Sequence, residues 1–409
     1  MSKIVGVDFS TDEIRGALTE IGTSLVPTEA GWTVTPPTWR PDLTDQATLA
    51  EEVARIVGYD RIPSVLPVAP PGRGLTREQR LRRLASSSLA AGGLTEVLAY
   101  PFLSQESNDL FGSPVAGGVP AIKIANPLDP DASWLRTSLL PGLVGIARRN
   151  LSRGLTDLAL YEVGTVFTPV AGRAYGSGPL PAGGSRPTEE VLTSLRDSIP
   201  PQPWHVGALF LGDAVPRQPG QPGVPSGISD ALGAAHHLAA VLASPITVVT
   251  GSHQAMHPGR TAELRSGDRV VGYAGELLPS LAEELDLPRV VALLEIDLDA
   301  LIALSIKDVV TTPILALPAA TQDVSLVVSN EVRAGELRAL LIEGAGELLE
   351  HAALVDSYTG PGVPEGSKSL TFALRFRAAD RTLTQAEATE AKNAAVALAA
   401  ARVGAVLRE

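Results

Sequence analysis

The sequence predicts an α+β protein, and three observations carry that expectation. Helical stripes opened by capping residues recur between short alternating apolar stretches. The last hundred residues run in the order strand, helix, strand, strand, helix, strand. Proline and glycine punctuation divides the chain into three parts, residues 1–70, 71–311 and 312–409.

The first part reads as a small α/β unit. Its first helix opens with the capping box Ser10-x-x-Glu13, carries Ile14, Leu18 and Ile21, and closes at Gly22. A second helix repeats Leu49, Val53 and Ile56 at i, i+4 and i+7, with Asp45 placed to cap it and Gly58 where a left-handed C-terminal cap is wanted. Thr48, Glu51, Glu52 and Arg55 fall on the opposite side. Asp42, Glu51 and Glu52 are hard oxygen ligands of the kind Mg2+ accepts. The same residues also read as a solvated acidic face with a Glu51–Arg55 pair, and spacing alone points to that face. Pro67, Pro70, Pro71 and Gly72 end the unit.

The second part starts with an arginine-rich helix from Thr76 (Arg77, Arg80, Arg82, Arg83) that carries Leu81, Leu84 and Leu89. A strand is expected at residues 96–100, a helix at 139–150 and a strand at 158–163. Residues 171–187 have the composition of a flexible insertion. A strand at 204–211, a helix at 229–242 and a strand at 246–250 follow, then the basic loop His257-Pro258-Gly259-Arg260, whose cation suits an anion. His253 and His257 have zinc-like spacing, but Pro258 breaks the helix that such spacing needs and no third ligand is evident, so locally satisfied histidines are expected. His236 and His237 are adjacent on a helix and diverge. Helices packed on an antiparallel sheet are the implied architecture.

The third part reads as strand 323–328, helix 331–349, strands 353–358 and 369–377, helix 385–401 and strand 402–407, a ferredoxin-like βαββαβ unit. Thr384-x-x-Glu387 is a capping box for its second helix. Arg375 and Arg377 are two apart and share one strand face, with Leu374 and Phe376 on the other. From residue 313 onward there are nine Lys and Arg against twelve Asp and Glu, so a cationic surface must be confined to one side.

Composition narrows the classes. With 409 residues, 44% of them hydrophobic, the chain can bury more than one core. The absence of cysteine excludes disulfides, zinc fingers and thiolate catalysis. Nowhere are there 18 uninterrupted apolar residues, so a membrane span finds no support. A net charge of −12 and 4% aromatic content argue against a general polyanion-binding surface and leave few stacking platforms for bases.

Four blocks carry a resemblance. They are Trp39-Arg40-Pro41-Asp42-Leu43 with the following Glu51-Glu52-Val53-Ala54-Arg55-Ile56-Val57-Gly58-Tyr59-Asp60; Asn126-Pro127 with Leu135-Arg136-Thr137-Ser138-Leu139-Leu140-Pro141-Gly142-Leu143; His257-Pro258-Gly259-Arg260; and Ser367-Lys368-Ser369-Leu370 with Asp380-Arg381-Thr382-Leu383-Thr384. In this order they closely resemble the C-terminal half of the β subunit of bacterial phenylalanyl-tRNA synthetase, over nearly the whole chain.

The resemblance implies that the middle part is a class II synthetase-like module without its active site. No G-x-G-x-x-R-like segment lies between Val270 and Ile306, and without such cations the charge developing on a transferring phosphoryl group is not neutralised. It implies a ferredoxin-fold anticodon-binding module at the C-terminus, with Lys368, Arg375, Arg377 and Arg381 as candidate phosphate contacts. It implies Mg2+ at Asp42, Glu51 and Glu52, completed by an α subunit. It further implies ATP used on that α subunit, an α2β2 enzyme, tRNA as partner and a cytoplasmic location. Contact with the α subunit is expected at the helix from Arg77, at the 139–150 helix and at the acidic face.

The chain departs from the family pattern at Thr48, usually aspartate, at Gln322, usually arginine, and at Leu278-Pro279, usually His-Pro. Met1 falls just before the first matched helix, so the family's OB-type tRNA-binding and editing modules are expected to lie outside this sequence. The reading is therefore a structural and tRNA-contacting part of a phenylalanine-tRNA ligase, not catalytic alone, with a free-standing non-catalytic scaffold paralogue as the alternative.

Overall fold

The computed structural model describes residues 2–29, 31–72, 74–176, 186–308, 311 and 314–408. Contacts divide the chain into two compact units, Met1–Ser305 and Ile306–Glu409. The first 62 residues lie within the first unit but have a hydrophobic cluster of their own around Phe9, Leu18 and Val53. Helix α1 (Thr11–Glu20) starts where Ser10 and Glu13 form the reciprocal capping box. Strands β1 (Ser24–Thr28) and β2 (Gly31–Thr35) pair as a hairpin. Helix α2 (Gln46–Val57) begins with Asp45 accepting the N–H groups of Ala47 and Thr48, and it ends at Gly58, whose φ of 124° explains the glycine.

The rest of the first unit is built on one sheet. Helix α3 (Arg77–Ala91) leads to β3 (Thr95–Glu96), α4 (Gln105–Phe111), α5 (Leu140–Leu151) and β4 (Leu158–Thr165). Helix α6 (Glu189–Asp197), β5 (Trp204–Leu211), α7 (Ile228–Val241) and β6 (Thr247–Thr250) come next. They are followed by β7 (Met256–Ser266), β8 (Arg269–Leu277), β9 (Val291–Asp297) and α8 (Leu298–Ala303). The strand order is β6-β7-β8-β9-β5-β4-β3, antiparallel except where β3 runs parallel to β4.

Both faces of the sheet are covered. Val206, Ala208 and Phe210 of β5 and Ala292, Leu294 and Ile296 of β9 pack with Ala85 and Leu89 of α3 and Ala231, Ala235 and Leu238 of α7. Their neighbours Leu209, Leu211, Val291 and Leu293 point the other way, against Leu140, Leu143, Val144 and Ala147 of α5. Burial on both sides is why these strands read as continuous apolar runs.

Several elements differ from the sequence expectation. The strand expected at 96–100 is paired only at Thr95–Glu96; Val97 N–H still reaches Tyr161, but Leu98 and Tyr100 are 85% exposed. His257 lies in a strand and not in a loop, although the β7–β8 register shifts between Met256 and Thr261, so that the His257–Arg260 stretch leaves the ladder. Helix α6 occupies a stretch for which no element was expected, and residues 177–185 of the 171–187 insertion lie outside the described residues.

The second unit is the expected βαββαβ. It comprises β10 (Ala320–Ser329), α9 (Ala334–Ala345), β11 (Leu349–Tyr358), β12 (Ser367–Phe376), α10 (Gln385–Val403) and β13 (Val406–Leu407), with strand order β11-β12-β10-β13. Val324, Leu326, Leu370, Phe372, Leu374 and Phe376 face Leu337, Leu341 and the alanine stripe Ala388, Ala391, Ala395 and Ala399. The helices approach closely: a Cβ on Gly344 would lie 2.7 Å from the Cα of Ala395. The alanine-rich helix runs on to Val403 before Gly404 turns it at φ 66°, which shortens the last strand to two residues.

Candidate functional site

The acidic helix face is tied up in ion pairs. Arg40 binds Asp42 through Nε and Nη2, at 2.9 and 2.6 Å, and also reaches Glu52 Oε1 at 2.6 Å. Arg55 takes Glu52 Oε2 at 2.6 Å, so its partner is Glu52 at i, i+3 and not Glu51. Glu51 accepts from Tyr59 Oη, and Thr48 Oγ1 donates to Asp45. Glu52 is buried with Val53, while Glu51 is exposed. Asp42 and Glu52 therefore meet on the Arg40 guanidinium, and Glu51 is not grouped with them. Arg40 pulls Asp42 below the usual carboxylate range, and Arg40 with Arg55 does the same to Glu52. A magnesium ion does not fit this arrangement, because both oxygens of Glu52 already face guanidiniums. Among the described residues no three His, Asp or Glu side chains are grouped to hold a metal.

A second polar assembly lies on the α5 side of the large sheet. Its row is set by register: Glu162 of β4, Gly207 of β5 and Glu295 of β9 stand side by side, with His205 opposite Asp297. Gly207 is required here because a Cβ would lie 2.9 and 3.0 Å from Leu143 and Leu139. The absence of a side chain lets the N-terminus of α5 settle onto the row. Leu139 N–H donates to Glu295 Oε1 at 3.0 Å and Ser138 Oγ to Oε2 at 2.5 Å, while His205 Nδ1 meets Oε1 at 2.8 Å. On the other side of Gly207, Arg136 Nη1 bonds Glu162 at 2.6 Å and its Nε donates to the Thr165 carbonyl. Burial pushes Glu162 up, and the Arg136 guanidinium opposes that rise.

Beside His205 and Glu295 opens a cavity of about 210 Å³. Phe111, Leu140, Met256 and Tyr273 supply apolar wall, and Glu295 and Asp297 are its carboxylates; no Lys or Arg is among its lining residues. His253 also lines it, edge-on to Tyr273, with Nδ1 accepting Ala255 N–H and with burial holding the imidazole below its ordinary value. That is the locally satisfied histidine expected from the sequence. Arg260 is not a free anion cradle, since it pairs with Glu276 at 2.6 Å.

Burial opposes a charge on His205, but the Glu295 hydrogen bond and the carboxylates of Glu295, Asp297 and Asp299 outweigh it and raise the imidazole above 6.5. Arg269 at 3.3 Å from Asp297 and Arg82 at 3.8 Å from Asp299 temper that field. A raised folded-state value means stability that is fully present below about 6.5 and lost as pH rises through the folded value. The first unit should therefore melt progressively lower above neutrality, and His205→Gln should flatten that slope. Melting curves by tryptophan fluorescence check this; a slope unchanged by the substitution contradicts it.

In the second unit the four candidate phosphate contacts have different surroundings. Arg375, half exposed, pairs with Glu350 at 2.5 Å, and Arg381, also half exposed, pairs with Glu387 at 2.7 Å. Lys368 Nζ donates to the Asn330 carbonyl at 2.9 Å. Arg377 is only 13% exposed; it bonds the carbonyls of Leu315 and Leu317 as well as Glu350. It shares Glu350 with Arg375, but it clamps the segment that precedes β10.

The helices expected to meet a partner each bury one face within the first unit, and α3 leaves Leu84 43% exposed. Helix α5 buries Leu140, Leu143, Val144, Ile146 and Ala147, and α3 buries Ala85 and Leu89. The His205–Glu295 and Arg136–Glu162 pairs were not anticipated. Their one sequence signal is a lone glutamate in an apolar run, Leu160-Tyr161-Glu162-Val163 and Leu293-Leu294-Glu295-Ile296, where an uncompensated charge would be costly.

Comparison with known proteins matches three family models. Residues 1–59 match the tRNA synthetase B5 domain, residues 62–298 the phenylalanyl tRNA synthetase beta chain CLM domain, and residues 316–408 the ferredoxin-fold anticodon binding domain. The chain is 60% identical over 409 residues to the phenylalanine-tRNA ligase beta subunit of Leifsonia xyli subsp. xyli, covering 99% of this chain and 48% of that protein. It is 45% identical over 412 residues to the same subunit of Thermobifida fusca, covering 99% and 49%. The chain thus spans about half the length of the curated relatives it matches. A solved pyrrolysyl tRNA synthetase from Desulfitobacterium hafniense aligns over 54% of this chain and 66% of its own at 16% identity, with a TM-score of 0.35.

Proposed function

Because the chain belongs to the phenylalanyl-tRNA synthetase beta-chain family, we propose that it is the non-catalytic, tRNA-contacting part of a phenylalanine-tRNA ligase. In this reading ATP, Mg2+ and phenylalanine are handled on a separate α subunit, within an α2β2 enzyme of the cytoplasm. One observation carries it. The cavity on the class II-like sheet is lined by two carboxylates and by no Lys or Arg, and the nearby Arg136 is held by Glu162. Triphosphate chemistry needs cations over the phosphates and in-line charge stabilisation, and these lining residues provide neither. Arg375 and Arg381, at exposed positions, and the half-buried Lys368 are proposed to meet RNA phosphates, whereas Arg377 serves the fold.

The chain alone is expected to give no phenylalanine-dependent pyrophosphate exchange, and to co-elute with the α subunit when the two are mixed at micromolar concentration. Exchange by the purified chain would sink the non-catalytic reading. Separate elution of the two would sink the assignment of the partner.

A further inference from the structure

The cavity beside His205 has one polar atom with no partner in the network around it. Thr137 Oγ1 bonds Asn108, and Ser138 Oγ donates to Glu295 while accepting Leu140 N–H. His253 Nδ1 accepts Ala255 N–H, and Asp297 caps Ala300 and meets Arg269. Glu295 has three donors on its two oxygens. His205 is held through Nδ1 only, so Nε2 has no partner among the described residues.

Size and charge then narrow the occupant. A dry apolar cavity of about 150 Å³ already takes a benzene ring, and this one measures about 210 Å³ with Phe111, Leu140, Met256 and Tyr273 as wall. An anion would meet the carboxylates of Glu295 and Asp297. A cation would be drawn by the same carboxylates, but their oxygens are already engaged, Glu295 by three donors and Asp297 by Ala300 N–H and Arg269, which leaves it the neutral imidazole as its one open acceptor. A hydroxyl suits either state, because it donates to the bare Nε2 and accepts from the protonated one. We propose that this cavity binds a small uncharged molecule with a ring-sized apolar body and one hydroxyl, of the phenol class, hydrogen-bonded to His205 Nε2. Glu295, Ser138 and the N-terminus of α5 position the imidazole for that contact.

The test is a titration of the full chain, labelled with 15N-histidine, with phenol as the probe and with toluene and benzoate as the other arms. Saturable movement of the His205 Nε2 resonance is expected with phenol, at a dissociation constant on the order of 1 mM for so few heavy atoms. Toluene and benzoate should each bind about tenfold more weakly, the cost of one missing hydrogen bond or of one repelled charge. His205→Ala should remove the preference for phenol over toluene; the wild-type resonance supplies the readout if that variant does not fold. No saturable shift with phenol, or toluene or benzoate binding as tightly as phenol, would overturn the proposal.

Discussion

Arg136→Ala is expected to lower the stability of the first unit by about 3–5 kcal/mol, the cost of leaving a buried charge without its partner. The Arg136 and Glu162 side chains are 7% and 1% exposed and 2.6 Å apart. Without the guanidinium, Glu162 retains only a long contact from Ala99 N–H, at 3.3 Å. The Thr165 carbonyl loses its donor as well. Arg136→Met combined with Glu162→Leu removes both charges, so it should cost far less than the single change, since apolar replacements of a buried pair are often nearly neutral. All four tryptophans, Trp32, Trp39, Trp134 and Trp204, lie in the first unit. Urea unfolding followed by tryptophan fluorescence therefore reports on it directly. A loss below about 1 kcal/mol for the single change would place this pair with ordinary surface ion pairs and remove the reason given for the glutamate in β4.

The residues that were legible in the sequence are those whose structure is decided locally. Ser10 with Glu13 and Thr384 with Glu387 satisfy helix N-termini within three residues, and both boxes form as written. The alternation of Leu374, Arg375, Phe376 and Arg377 fixed which side chains share a face, but not what that face meets: Glu350 and two backbone carbonyls close over Arg377 from segments 27 to 62 residues away. The His205–Glu295 contact depends on the diagonal between two strands ninety residues apart, which no local pattern encodes. The acidic helix face failed for a related reason. Helical spacing places Glu51 opposite the buried stripe, but it says nothing of Arg40, which arrives from the preceding turn and takes up Glu52 and Asp42.

The two strand arginines of the second unit should separate cleanly by measurement. Arg375→Ala removes a half-exposed ion pair, so it should change stability by less than about 1 kcal/mol. If Arg375 meets a phosphate, the same change should weaken tRNA binding across sequences and reduce the log-log salt slope by about 0.9. Arg377→Ala leaves the carbonyls of Leu315 and Leu317 without their donor, which should cost about 1–3 kcal/mol for each buried acceptor that water does not reach. Its effect on tRNA should then follow from a loosened segment before β10, with the salt slope unchanged. Stability of the second unit is read by amide hydrogen exchange in β12, and tRNA affinity at several salt concentrations in the complex with the α subunit. An Arg375→Ala protein with unaltered affinity and slope would reduce this arginine to a solvated charge. An Arg377→Ala protein of undiminished stability would show that the clamp contributes nothing and return Arg377 to the list of candidate RNA contacts.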